Sequence, residues 1–289
     1  MTNPNPVKKV IAVHDLSGYG RCSLSVILPV LAAMGVQPIS LPTALLSTHT
    51  GGYTDFTFLD LTSQIEPIYQ HWLTLNSDFH AIYSGFLAHA AQVQLVENLI
   101  EAYQNKTKII LVDPVMGDDG VLYATCDEPL LQEMKRLIGK ATIITPNITE
   151  AVFLLGKPYK EYFNPSEVKN MLYALAEMGP KQVVITGFKN KNNIHTGYLD
   201  TATGEVNILT QEKVNKGYPG TGDVFASILL GHLLKPDPLD QSVHSATDFV
   251  RYAIQYSAQY DYPEREGILL EPLLYKLTDR MKDVCTTKN

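Results

Sequence analysis

Residues 10–35 have the sequence VIAVHDLSGYGRCSLSVILPVLAAMG and decide the fold. A short β-branched run, Val10 to Val13, is followed by a polar turn and then by an apolar helical pattern from Leu24 to Met34 that stops at Gly35. A strand followed by an amphipathic helix is typical of a βαβ unit, in which the next strand pairs parallel with the first. The segment therefore predicts an α/β protein with a parallel sheet.

The same alternation of short apolar runs and longer helical patterns continues along the chain. Further strands are predicted at residues 39–46, 81–85, 108–112, 142–145 and 182–186, and further helices at 61–75, 92–103, 130–138, 149–155, 165–178, 222–235, 240–259 and 271–284. Residues 193–199 and 205–214 break this rhythm and predict an antiparallel hairpin at the sheet edge. We expect a three-layer α/β fold, with a mostly parallel central sheet and helices on both faces, in a single domain over residues 1–289.

Composition excludes several classes of protein. Hydrophobic residues make up 45% of the chain, and the net charge of −7 comes without a clustered basic face, so no nucleic-acid partner is expected. No run approaches the ~18 apolar residues of a membrane span, and residues 1–6 are polar, so we predict a cytoplasmic protein without a membrane partner. Cys22, Cys126 and Cys285 are odd in number and far apart, a pattern that indicates neither a disulfide framework nor a metal site.

Polar residues follow every predicted parallel strand. In open parallel sheets the ligand binds beyond the carboxyl ends of the strands. The six polar strand ends are His14 to Gly20, Ser47 to Gly52, Ser84 to Phe86, Asp113 to Gly120, Thr145 to Glu150, and Thr186 with Gly187. One polar strand end is an ordinary turn, whereas six at one edge indicate a binding site.

Residues 217–235, GYPGTGDVFASILLGHLLK, predict an anion site. Gly220, Thr221 and Gly222 directly precede an apolar helix, so their free N–H groups should gather at the positive end of the helix dipole. The next residue is Asp223. A carboxylate in a first helical turn usually serves as a cap, but beside an anion nest it also suits a proton acceptor.

Other nucleotide and metal motifs fail. Residues 18–23, GYGRCS, resemble a dinucleotide fingerprint but lack its third glycine, and the second strand reaches His49 without an acidic ribose ligand, which leaves an NAD-dependent Rossmann-type protein as a distant alternative. No Walker loop is present. His14 and His49 lack metal-ligand spacing and are interpreted as pocket walls or buried histidines.

Phosphoryl transfer without a Walker loop fits the remaining residues. That chemistry needs an anion nest, carboxylates that organise Mg²⁺ on the phosphates, and a base at the attacking hydroxyl. The nest precedes Asp223, the candidate base. Asp113 and Glu150 are placed to hold hydrated Mg²⁺.

These motifs, in their order along nearly the whole chain, resemble the ribokinase superfamily and within it the vitamin B6 kinases. The resemblance is carried by residues 47–51 (STHTG), 113–117 (DPVMG), 145–147 (TPN) with Glu150, and 220–223 (GTGD). It implies ATP-dependent phosphorylation of the 5′-hydroxymethyl group of pyridoxal, pyridoxine or pyridoxamine, with Asp223 as base and Gly220, Thr221 and Gly222 as anion hole. It also implies that Asp113 and Glu150 serve Mg·ATP, that Asn147, Thr186 and Gly187 lie along the phosphates, and that the protein is a homodimer with a K⁺ requirement in some members.

For the acceptor ring, the resemblance implies contacts from Asp15, Ser17, His49, Thr50 and Phe86. Many B6 kinases have Ser at the position of Asp15 and Tyr at that of Phe86. The Asp-x-Ser-Gly stretch at residues 15–18 is similar to the hydroxymethylpyrimidine kinases of thiamine biosynthesis, which are therefore the alternative. Those enzymes usually have Cys at the position of Asp223, which favours the B6 interpretation. A nucleotide-binding module that kept the fold and lost the chemistry is a further alternative.

Overall fold

The computed structural model describes residues 5–75, 77–190 and 192–278. Its main feature is a nine-stranded sheet. The strands are β1 (Lys8–Tyr19), β2 (Val36–Thr48), β3 (Phe58–Asp60), β4 (Ala81–Ser84), β5 (Ile109–Val112), β8 (Ile143–Ile144), β9 (Gln182–Lys189), β10 (Asn193–Asp200) and β11 (Glu205–Glu212), with a separate hairpin of β6 (Gly117–Asp118) and β7 (Val121–Leu122). The helices are α1 (Leu24–Ala33), α2 (Thr62–Thr74), α3 (Ala90–Tyr103), α4 (Glu128–Ile138), α5 (Ile148–Leu154), α6 (Pro165–Ala176), α7 (Thr221–Leu233) and α8 (Leu239–Ser257).

The spatial order of the strands is β11-β10-β9-β8-β5-β4-β1-β2-β3. The six central strands, from β9 to β2, run parallel, and β10 and β11 form the predicted antiparallel hairpin at one edge. Each parallel connection passes through a helix, as crossover connections require. The predicted fold class is confirmed.

Alternation along the strands produces the three layers. In β1, Val10 and Ala12 pack into the core beneath α1, α7 and α8, whereas Ile11 and Val13 pack into the core beneath α2 to α6. All four side chains are fully buried. Because successive side chains in a strand point to opposite faces, a continuous apolar run is required where both faces carry helices.

Three short elements differ from the sequence prediction. β3 pairs antiparallel with β2, and β6 with β7 forms a two-stranded hairpin after β5; such short strands show too little periodicity to be predicted. The α-helix predicted at 271–284 is instead a 3₁₀ helix over Glu271–Lys276, whose buried Leu270 and Leu273 keep the three-residue spacing of that helix. Residues 279–284 of that prediction and Cys285 lie outside the described residues.

None of the helices in the described ranges combines the length and the apolar character that a membrane crossing needs.

Candidate active site

The strand order divides the predicted site residues into two halves at one sheet edge. The ends of β9, β8 and β5 bring together Thr186, Asn147 and Asp113, and the ends of β4, β1 and β2 bring together Phe86, Asp15 and His49. We call these the nucleotide half and the acceptor half. Residues 220–223, at the start of α7, contact the end of β1 next to the boundary between them.

The turn before α7 requires glycine at position 220. Gly220 has a φ of 81°, and a Cβ there would lie 2.3 Å from the carbonyl oxygen of Arg21. Thr221, Gly222 and Asp223 occupy the first three helical positions, whose N–H groups have no partner within the helix. The space beside Gly222 is open, since a Cβ there would meet no atom within 4 Å. A cradle of this kind fits a phosphate group.

Asp223 is held at the mouth of this cradle. Its side chain is buried, and Oδ2 accepts a hydrogen bond of 2.7 Å from the backbone N–H of Ser23. The Cys22 thiol also donates to Oδ2, at 3.6 Å, and burial, followed by the charge of Asp223, raises the pKa of that thiol well above its ordinary value. The neutral thiol and the amide fix the orientation of the carboxylate.

Asp15 and Ser17 point the same way because they lie two residues apart on β1. The Ser17 hydroxyl donates to Asp15 Oδ2 at 2.9 Å, and the Ser23 hydroxyl donates to Oδ1 at 2.5 Å. Burial opposes the charge of Asp15, yet the bonds from His14, Ser23 and Ser17 lower its pKa. Asp15 is therefore a buried carboxylate, and it binds the side chain of Ser23 rather than capping α1 through backbone N–H groups.

His14, which the sequence analysis interpreted as a pocket wall or a buried histidine, contacts two carboxylates of the site. Nδ1 lies 2.8 Å from Asp15 Oδ1, and Nε2 lies 3.1 Å from Asp223 Oδ1. Burial opposes protonation, but Asp223 and Asp15 together raise the pKa of His14 to about 10. The signal in the sequence was the His-Asp pair that directly follows a buried strand.

The other acceptor residues lie around a pocket mouth. Both ring nitrogens of His49 are engaged within the protein, since Nδ1 accepts from the Gly51 N–H and Nε2 bonds the carbonyl of Arg265 at 2.7 Å. His49 is buried, and its ring packs edge-on against that of Tyr53 at 5.1 Å. Thr50 is exposed, and Phe86 is buried, with its ring 6.5 Å from that of His14 and nearly parallel to it. The sequence did not indicate that Arg265 lies here.

In the nucleotide half, two carboxylates are buried close together. Burial and then the nearby Asp223 raise the pKa of Asp113 to about 7, although the Thr145 hydroxyl donates to it at 3.0 Å. Burial and then Asp113 raise the pKa of Glu150 well above its ordinary value. Glu150 also completes a capping box with Asn147 and accepts from the Met116 N–H. Glu150 therefore stabilises both the start of α5 and the turn that contains Met116.

Asn147, Thr186 and Gly187 lie next to one another. Asn147 and Thr186 form a parallel bridge that extends the pairing of β8 with β9. Gly187 has a φ of 75°, and a Cβ there would meet no atom within 4 Å. The backbone at this point is open to a ligand, as the predicted place along the phosphates requires.

Comparison with known proteins assigns the family. A family model described as phosphomethylpyrimidine kinase matches residues 28–266. The chain belongs to this family. The phosphomethylpyrimidine kinase family model includes the segments that carry Asp113, Glu150 and Asp223, and it begins after the stretch that carries His14 and Asp15.

Relatives within this family carry two kinds of name. The sheep pyridoxal kinase is 27% identical over 78% of this chain and 77% of its own, and the hydroxymethylpyrimidine/phosphomethylpyrimidine kinase of Haemophilus influenzae is 26% identical over 86% of this chain and 92% of its own. Among solved structures, a proposed phosphomethylpyrimidine kinase from Bacteroides thetaiotaomicron, crystallised with pyridoxal, is 41% identical, with a TM-score of 0.90 and 94% and 96% of the two chains covered. Pyridoxal kinase from Lactobacillus plantarum is 33% identical, with a TM-score of 0.86 and coverage of 94% and 97%. The protein is a kinase of this family, with pyridoxal kinases among its homologues.

The donor set fits a divalent cation that is held mainly by phosphates. Within residues 5–75, 77–190 and 192–278, no group of three or more His, Cys, Asp or Glu side chains is arranged as a metal site. Asp113 and Glu150 are both buried carboxylates, and the charge of Asp113 contributes to the raised pKa of Glu150. Such a pair suits hydrated Mg²⁺, which uses one or two carboxylates together with substrate phosphates.

We predict that Asp113→Asn stabilises the nucleotide-free and metal-free protein above neutral pH. Because the pKa of Asp113 rises from 3.8 to about 7 on folding, the folded state keeps a proton that the unfolded chain loses, and stability falls as pH rises through that window. Asn cannot ionise and still accepts from Thr145. The melting temperature of the Asp113→Asn variant should equal that of the wild type near pH 4 and exceed it at pH 8 by about 3 °C or more.

Asp127→Asn is the matched control, because Asp127 is an exposed helix N-cap at which Asn serves equally well. Differential scanning calorimetry at several pH values measures both variants. Equal melting temperatures for Asp113→Asn and wild type at pH 8 would contradict the prediction.

Proposed function

We propose that the protein phosphorylates the 5′-hydroxymethyl group of pyridoxal, pyridoxine or pyridoxamine with ATP. The observation that carries the proposal is the position of Asp223, a buried carboxylate in the first turn of α7 that contacts β1 at the boundary of the two halves. A base is needed at that boundary, where an acceptor hydroxyl meets a γ-phosphate. The pyridoxal bound to the Bacteroides relative and the name of the Lactobacillus relative support a B6 acceptor.

In the proposed reaction, Asp223 accepts the proton of the hydroxymethyl group. The hydroxymethyl oxygen forms a bond to the γ-phosphorus while the bond from that phosphorus to the β,γ-bridging oxygen breaks, which releases ADP. The N–H groups of residues 220–222 face the transferring phosphoryl group and stabilise its negative charge. Since these donors are already oriented by the helix start, they need no reorganisation during the step.

The acceptor half is proposed to bind the pyridine ring. Phe86 and His49 offer ring surfaces, whereas Thr50 and Ser17 supply hydroxyl groups. Asp15 Oδ2 accepts one bond from the protein, from Ser17, and a carboxylate oxygen has two acceptor sites. That oxygen is our candidate for reading a donor on the ring, such as its hydroxyl group.

The nucleotide half is proposed to bind Mg·ATP. Asn147, Thr186 and Gly187 border the phosphates, and Asp113 with Glu150 organises the water shell of Mg²⁺. The cation, when bound, neutralises charge on the phosphates. A K⁺ requirement is measurable in the same assay when K⁺ is replaced by another monovalent cation.

We also propose that the protein is a cytoplasmic homodimer. β3 lies at the end of the sheet and exposes Phe58 and Leu59, with side-chain exposures of 38% and 56%, beside Leu45 at 43%. An exposed apolar edge strand is a surface on which another chain can pack. Such an edge supports an interface between two copies.

Hydroxymethylpyrimidine is the competing acceptor, because the family model is described as phosphomethylpyrimidine kinase and the Haemophilus relative is named a hydroxymethylpyrimidine/phosphomethylpyrimidine kinase. We expect ADP release with pyridoxal or pyridoxamine to exceed that with hydroxymethylpyrimidine, measured by a coupled assay at equal concentrations, with ribose as a negative control. The reverse order would assign the protein to thiamine biosynthesis. No ADP release with any acceptor would overturn the kinase proposal.

Asp223→Asn should lower turnover by about 10²–10⁴-fold, the usual contribution of a positioned general base. Asn keeps an oxygen for the Ser23 N–H, so the fold and ATP affinity should persist. Asp240→Asn is the control, since Asp240 is a first-turn carboxylate of α8 remote from the site. Turnover near the wild-type value in Asp223→Asn, measured at saturating substrates, would refute the assignment of the base.

Glu150→Gln should raise the Mg²⁺ concentration needed for half-maximal turnover, because it removes a negative charge from the outer shell of the cation. Gln serves in a capping box as Glu does, so α5 should persist. The chain offers a matched control in Glu167→Gln, which alters the identical capping box of Asn164 and Glu167 on α6, away from the site. Equal Mg²⁺ titrations for the two variants would leave Glu150 with a capping role alone.

A further inference from the structure

His14 lies between Asp15 of the acceptor half and Asp223 at the start of α7. It lies on β1, where the pairing with β2 is irregular between His14 and Leu16, and its side chain reaches the first turn of α7. Its two ring nitrogens lie 2.8 Å from Asp15 Oδ1 and 3.1 Å from Asp223 Oδ1. The side chain is 2% exposed. A single buried imidazole therefore connects the proposed ring-binding carboxylate to the proposed base.

The neighbouring strand leaves room for this ring. A Cβ on Gly85, which follows β4, would lie 2.0 Å from His14 Cδ2 and 2.3 Å from Nε2. The φ of Gly85 is not in the left-handed region, so the backbone conformation does not require glycine. Space for His14 is the requirement that explains glycine at this position.

The contacts select the protonated form of His14. Nδ1 lies near both Asp15 Oδ1 and the backbone N–H of Asp15, at 2.8 and 3.0 Å, and these two groups demand opposite protonation states of Nδ1. The contact with the carboxylate is shorter and charge-assisted, so it favours the state in which Nδ1 carries a proton. Nε2 faces Asp223 without the alignment of a hydrogen bond, and it bonds no other group within the described residues. A proton on each nitrogen is therefore the arrangement that both carboxylates favour, in line with the raised pKa of His14.

We propose that His14 is a positioning residue of the phosphoryl-transfer reaction, an imidazolium that places a positive charge beside the Asp223 carboxylate and ties the position of that carboxylate to that of Asp15. This inference rests on the function proposed above.

The charges around His14 explain the need for a cation. Asp15 on β1, Asp223 on α7 and Asp113 after β5 all interact with it, and the Cys22 thiol beside Asp223 is neutral. Three carboxylates would otherwise repel one another in a poorly solvated site. A positive charge within ion-pair distance of Asp223 offsets this repulsion.

The first test compares His14→Gln with His195→Gln, which removes another buried histidine, in the edge hairpin. We expect His14→Gln to lower kcat by about 10–100-fold, with the KM for ATP within twofold of the wild-type value. The acidic limb of the pH profile of kcat/KM should move about 1 unit to higher pH, because the variant lacks the positive charge 3.1 Å from Asp223 Oδ1. An unchanged pH profile with normal kcat would overturn the proposal, whereas the His195→Gln profile should match that of the wild type.

The second test moves the imidazole without changing its charge. Gly85→Ala should reproduce the loss of kcat, because its Cβ displaces the His14 ring. In a His14→Ala background, Gly85→Ala should cause less than a twofold further loss. Full additivity of the two changes would show that Gly85 acts independently of His14.

A third measurement does not depend on activity. ¹⁵N NMR of the wild-type imidazoles, with the His14 signals assigned by their loss in His14→Gln, should show both nitrogens protonated at pH 7.5. A neutral imidazole at that pH would overturn the proposal even in an active enzyme. A wild-type protein that phosphorylates no acceptor would instead refute the proposed function, while the NMR result would still report the state of His14.

Discussion

The parallel pairing of six strands is the constraint on which the rest of the molecule depends. Parallel strands need crossover helices, so both faces of the sheet are covered and the central strands β1, β4, β5, β8 and β9 are largely apolar on both sides. Most of the polar side chains of the site therefore lie toward the carboxyl ends of the strands. Because all six strands point the same way, their polar ends meet at one edge, and the strand order separates an acceptor half from a nucleotide half.

That edge concentrates negative charge that water cannot easily screen. Asp15, Asp113, Glu150 and Asp223 are each less than 8% exposed. The surroundings of Asp15, Asp113 and Glu150 shift their pKa values in different directions. His14 and two serine hydroxyls favour the charged form of Asp15, whereas the pKa values of Asp113 and Glu150 rise, so that these two groups favour a proton. The arrangement costs stability in the free protein and prepares the site for a charged ligand, a trade that is common at functional sites.

The start of α7 combines a tight backbone turn with the groups proposed to take part in the reaction. Gly220 lets the chain approach the carbonyl of Arg21, which brings the first turn of the helix against the end of β1. The same turn carries free N–H groups and Asp223. The proposed anion cradle and the proposed proton acceptor thus share one rigid element, so their separation does not depend on a flexible loop.

The sequence alone determined the α/β class, the edge hairpin and the strand ends that form the site. Strands buried on two faces have a continuous apolar pattern, and the glycine-rich turns are recognisable from a few neighbouring residues. The sequence also indicated Asp223, since a carboxylate is unexpected directly after a Gly-Thr-Gly turn that predicts an anion site. It could not indicate β3 or the β6–β7 hairpin, whose two or three residues carry no period. Nor could it show that His14 joins Asp15 to Asp223 or that Arg265 reaches His49. His14 and Asp223, like His49 and Arg265, are some 200 positions apart in the chain, and the contact of His14 with Asp15 depends on the direction of its side chain. Only the tertiary structure decided these contacts, since they depend on which strand face meets which helix end.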